Sequence, residues 1–152
     1  MGTYASPLIA IVLFRTTKII SSVHLIKRED RIYPYITGAA CAFATAAFLK
    51  NAMAPKEIYL SVYGTAFVLI VSTILIPYFK SSAHMAGAAG FFALYLRLHQ
   101  RYGTGEPEFL LLLLLFLSAV AWSRISLKRH TLQELLSGGL LGFSTVYALL
   151  SN

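Results

Sequence analysis

The chain has 152 residues, 57% of them hydrophobic and only 12% charged, with a net charge of +7. Soluble domains carry roughly 25% charged residues, so this balance excludes an ordinary water-soluble domain. Because the cations lie between apolar runs, the expected partner is anionic lipid or phosphate and not nucleic acid. The one cysteine, Cys41, excludes an internal disulfide and a cysteine-based metal cluster.

The length gives room for a single integral-membrane domain over residues 1–152. A bilayer-crossing helix needs about 20 apolar residues. The chain opens MGTYAS, which fits the Met-Gly-x-x-x-Ser acylation pattern, but the apolar chain that follows already anchors itself. No basic segment precedes Pro7 to Phe14 and no small-residue cleavage site follows, so a cleaved leader is not expected. That stretch continues through Arg15 and Lys18 to about residue 26, either as a span with snorkelling cations or as an interfacial helix. Five further segments follow: Tyr35 to Leu49, Ile58 to Phe79, Ala83 to Leu98, Glu108 to Trp122 and Leu132 to Leu150. The expected fold is an all-α, polytopic bundle of about six transmembrane helices. KNAMAPKE, with Pro55, and RLHQRYGTGEPE are short breaker-rich connections. Gly87 and Gly90 with Ala86, Ala88 and Ala89 give one segment a small face, and Gly138 and Gly142 form Gly-x-x-x-Gly in the last; both predict close helix packing. The tyrosines cluster near segment ends, as in an aromatic belt.

With six crossings the loops alternate sides. HLIKREDRIYP (24–34), KSSAH (80–84) and SRISLKRH (123–130) then meet on one face of the membrane. The other face receives Lys50, Lys56, Arg97, His99, Arg101 and a few acids, and no catalytic role is expected for His99 or Arg101. A basic, histidine-containing pocket at a membrane surface suits phosphate. Guanidinium groups bind its oxygens in pairs, and imidazoles supply a nucleophile and a proton donor.

These residues resemble the type-2 phosphatidic acid phosphatase superfamily, the membrane relatives of vanadium haloperoxidases. Its motifs are Lys-x6-Arg-Pro, Pro-Ser-Gly-His and Ser-Arg-x5-His-x3-Asp. Ser123, Arg124, His130 and Glu134 reproduce the third spacing, with Glu in place of Asp. Ser81-Ser82-Ala83-His84 keeps the Ser and His of the second without its Pro and Gly. For the first, His24 stands seven residues before Arg31 and Pro34 comes two residues late; KREDRIYPYI resembles a compact bacterial branch with an Arg-x-x-Arg pair. The likeness spans roughly residues 20 to 150.

The resemblance implies a phosphohistidine mechanism with no metal or other cofactor. His130 would attack phosphorus, Glu134 would hold its other ring nitrogen, and His84 would protonate the leaving lipid oxygen and then activate water. Arg124, Arg31 and Arg28 would hold the phosphate oxygens, with Ser82, backbone amides near His84 and Lys80 adding donors or charge. This requires His130 neutral and His84 protonated, hence environments that separate their pKa values. Substrates would be lipid phosphate monoesters or polyprenyl diphosphates.

Plainer readings exist for each residue. Arg124, Lys128 and Arg129 suit lipid headgroups, Ser82 suits a helix cap, and Arg28 and Arg31 suit pairing with Glu29, Asp30 or lipid phosphate. Thr131-Leu132-Gln133-Glu134 is a capping box, and the expectation is that Glu134 cannot both cap and orient His130 well. A non-catalytic membrane protein binding anionic lipid is the alternative function; a small transporter would need ionisable groups within the spans. Setting aside Arg28, Arg31, Lys80 and Arg124 as substrate groups, the remaining Lys and Arg divide five against four between the faces. Charge therefore does not orient the chain. The resemblance implies a site on the periplasmic face of a bacterial inner membrane, with both termini cytoplasmic.

Overall fold

Three of the apolar segments form helices of the length that a bilayer demands. A computed structural model describes residues 31–103 and 106–151, which form five helices: α1 (Ile32–Asn51), α2 (Lys56–Leu75), α3 (Ala83–Tyr102), α4 (Pro107–Ser126) and α5 (Leu132–Leu149). The expected first segment, with His24 and Arg28, lies outside the described residues. Helices of 20 residues run about 30 Å, the thickness of the hydrocarbon core. By length and composition α1, α2 and α4 can each cross a membrane, with mean hydropathies of 1.4, 2.0 and 2.0. They suggest a membrane protein.

Local chemistry sets the boundaries. Pro55 precedes α2 in an extended conformation, and Pro107 opens α4, where a missing N–H costs nothing. α2 stops at Leu75, four residues short of the expected Phe79. Pro77 explains this: it has no N–H to continue the helix ladder to the Thr73 carbonyl, although Ile76 before it still has helical dihedrals, φ −48° and ψ −44°. Leu75 to Phe79 instead form a turn in which Tyr78 and Phe79 amides donate to the Leu75 carbonyl at 3.0 and 2.7 Å.

Small residues bring two helix pairs together. α1 and α2 run antiparallel, with Ala39, Ala42 and Ala46 buried and Phe43 edge-on to Tyr63 at 5.2 Å. α3 and α5 run parallel. Ser82, Ala86 and Gly90 of one meet Gly138, Gly142 and Val146 of the other. A Cβ at Gly142 would collide with the Ala86 carbonyl, and one at Gly138 with backbone N of Ser82 at 2.9 Å. In lipid, where apolar burial offers little advantage, such backbone approach is what holds helices together. Gly87, expected on this small face, is not in it: a Cβ there would meet nothing within 4 Å. α2 joins α5 through Gly64 against Val146 and Leu149. The parallel α3–α5 pair places the start of both helices at one end of the bundle.

Among the described residues α4 packs chiefly on α3. Leu113 is its buried residue, while Leu111, Leu112, Leu115, Phe116 and Trp122 are exposed. A helix apolar all round with so little of it covered by protein fits a lipid solvent and not water.

Candidate active site

The site begins where α4 ends. Ser123 and Arg124 occupy its last turn. Leu127 closes the helix, and Lys128 adopts φ 51°, a left-handed conformation uncommon for a residue other than glycine. That reversal turns the chain back, so the amides of Arg129 and His130 donate to the Arg124 carbonyl at 3.0 and 3.4 Å. Lys80 Nζ donates to the Arg129 carbonyl at 3.3 Å and ties this turn to the segment before α3.

α5 then starts with the capping box the sequence spells. The Glu134 amide donates to Thr131 Oγ1 at 3.3 Å, and the Thr131 amide donates to Glu134 Oε2 at 3.1 Å. The same Oε2 also accepts from His130 Nδ1 at 2.9 Å. The expected conflict between capping and orienting His130 is thus overturned. A carboxylate oxygen has two lone pairs, and the two donors approach it from adjacent residues. Holding the proton on Nδ1 leaves His130 Nε2 with its lone pair. The imidazole is 5% exposed, so this orientation is fixed inside the protein.

The α3 side is locked against this turn. Ser82 donates its amide to the Glu134 carbonyl at 3.0 Å, directly above the Gly138 contact. Its hydroxyl accepts from the Met85 amide at 3.4 Å as the helix cap. Ser82 is fully buried, so that hydroxyl serves the cap and not an open pocket. Ser81 donates to Ser72 at 3.3 Å, a buried pair that fastens α2 to the same segment. His84, in the first turn of α3, is exposed on the wall of a cavity of about 500 Å³ that Arg124 also lines. Arg124 Nε is buried there without a hydrogen-bond partner among the described residues.

Charge gathers the rest. Arg31 acts on both imidazoles, Arg124 on His84, and Lys80 on His130. Burial holds His130 below its usual pKa of 6.5, with Arg31 and Lys80 adding to it and Glu134 partly opposing them. His130 thus favours the neutral form that a nucleophile requires. An anion bound among these cations would raise its pKa, by cancelling the positive charge beside it.

No family model, curated protein or solved structure matches this chain. The geometry must therefore carry the functional reading by itself. It brings His84, His130, Glu134, Arg124, Arg31 and Lys80 to one end of the bundle and turns the Ser82 hydroxyl into a cap. Arg28 lies outside the described residues. Sequence reasoning missed Tyr35, buried and taking a 3.5 Å contact from Arg31 Nη1. The signal was available, because positions 31 and 35 are one helical turn apart. It also missed the Ser72–Ser81 pair, which no spacing rule announces.

Proposed function

We propose that this chain is a six-segment integral-membrane phosphatase that hydrolyses a lipid phosphate monoester or polyprenyl diphosphate through a phosphohistidine intermediate, without a metal. The observation that carries the reading is the 2.9 Å contact from His130 Nδ1 to Glu134 Oε2, within the field of an arginine that also acts on His84. His130 Nε2 attacks phosphorus, and the bond to the lipid oxygen breaks as His84 gives that oxygen its proton. Glu134 stabilises the imidazolium that forms. Neutral His84 then takes a proton from water as the water attacks the phosphohistidine, releasing inorganic phosphate and restoring His130. Arg124 and Arg31 neutralise the equatorial oxygens throughout, the work a metal does elsewhere. Arg28 and Lys80 add positive charge. The site faces the periplasm from a bacterial inner membrane in this reading.

The test is to trap the intermediate. Rapid acid-free quenching of the protein with radiolabelled phosphatidic acid should leave base-stable, acid-labile phosphate on the peptide containing His130. His84→Ala should prolong it. Label on another residue would refute the mechanism.

A second reading has one observation in its favour. His84 and Arg124 line the cavity of about 500 Å³ but His130 is not among its described lining residues, and with the nucleophile set off that cavity the chain would bind anionic lipid without cleaving it. Saturable binding of phosphatidic acid with no phosphate release would select it.

A further inference from the structure

Two grooves of similar size run between neighbouring helices, and they differ at one end. The groove between α1 and α2, about 470 Å³, is lined by Ile36, Phe43, Ile70 and Ile74 among others, with no charged side chain among its described lining residues. The groove between α3 and α4, about 500 Å³, has His84, Ser123 and Arg124 at its mouth. Beyond them it is apolar, with Gly87 and Phe91 on one wall and Phe116, Ala119 and Val120 on the other.

This shape follows from helix geometry. His84, Gly87, Ala88 and Phe91 are spaced along one face of α3, as are Phe116, Ala119, Val120 and Ser123 along one face of α4. The helices are antiparallel, so the polar ends of both stripes coincide. From His84 to Phe91 the groove descends about 10 Å, roughly a third of a hydrocarbon core. Gly87 keeps it open one turn below His84: it is exposed, and a Cβ there would meet nothing within 4 Å. Unlike Gly138 and Gly142, it is not required by any helix contact. The charged mouth and the buried Arg124 Nε, which has no partner among the described residues, ask for an anion, and the apolar shaft asks for hydrocarbon attached to it.

We propose that the α3–α4 groove seats the apolar tail of a phosphate-bearing lipid whose head lies at His84 and Arg124, with Gly87 setting the width available to that tail. This rests on the phosphatase reading for its ligand class, but it concerns binding and does not require turnover. It also makes α3 and α4 the pair of helices between which the lipid reaches the site from the bilayer.

The experiment is photolabelling of the full chain in detergent micelles with phosphatidic acid carrying a diazirine in its tail, compared with phosphatidylcholine carrying the same tail. Peptides containing Phe91 and Phe116 to Val120 should be labelled several-fold more by phosphatidic acid, whereas Phe43 and Ile70 should be labelled alike by both lipids. Gly87→Leu, and Ala119→Phe from the opposite wall, should abolish the enrichment, while Gly87→Ala should keep it. Equal labelling by the two lipids, or enrichment that survives both groove-filling variants, would overturn the proposal. Enriched labelling without phosphate release would refute the phosphatase and leave the groove standing. Phosphate release without groove labelling would do the reverse.

Discussion

Glu134 Oε2 accepts from the Thr131 amide and from His130 Nδ1 at once, which makes its two roles separable by mutation. Thr131→Ala removes only the cap and should cost about 1 kcal/mol of stability with kcat little changed. Glu134→Gln keeps the size but loses the negative charge that supports an imidazolium, and should lower kcat by roughly 10²-fold or more. Thermal unfolding and phosphate release on both variants would check this; equal effects on kcat would contradict it. The spacing of His130 and Glu134 was legible in the sequence, and so was the capping box. That one oxygen serves both was not, because lone-pair geometry depends on the turn at Lys128, and nothing about a lysine announces a left-handed conformation. His130 gives a second residue-scale expectation. It must be neutral to attack phosphorus, and burial, with Arg31 and Lys80 adding to it and Glu134 partly opposing them, holds its pKa below 6.5. A lowered pKa means the neutral form persists at pH below 6.5. Since kcat/KM reports the free enzyme, its loss on the acid side should set in only below about pH 6.5. A kcat/KM that already falls as pH drops from about 7.5 to 6.5 would contradict the assignment of His130.

Gly142, which faces α3 from α5, and Gly87, on α3 itself, predict opposite outcomes. Gly142→Ala on α5 drives a methyl group into the Ala86 carbonyl. Backbone cannot step aside as a side chain can, so this overpacking should cost at least about 1–3 kcal/mol and separate the ends of α3 and α5 that hold the two histidines. Gly87→Ala meets open space and should be neutral or stabilise by up to about 1 kcal/mol through helix propensity. Chemical unfolding in detergent would measure both, and a well-tolerated Gly142→Ala would contradict the α3–α5 seam. The Gly-x-x-x-Gly of α5 could be read from sequence because its period is that of a helix face. Gly87 could not be told from Gly90 that way: both sit among alanines, and only the packed partner distinguishes them. The helices themselves were legible as apolar runs bounded by prolines, although Pro77 ends α2 earlier than hydropathy suggested.

For the whole molecule, the exposed apolar surface of α4 and the charge gathered at one end point the same way: a body dissolved in lipid with a cationic mouth at its surface. Hydropathy made the first legible. The second needed the loops to alternate sides, an inference from counting helices, and the parallel packing of α3 on α5 supports it for the two histidine segments. Chain orientation was not legible, since cations assigned to substrate cannot also vote on sidedness. The measurement that bears most directly on the account is phosphate release from a panel of lipid phosphates in detergent with EDTA present, comparing the natural chain with His130→Ala. The account predicts release that persists in EDTA and is lost in the variant. Release that survives His130→Ala, or no release by a folded natural chain from any lipid phosphate, would contradict it.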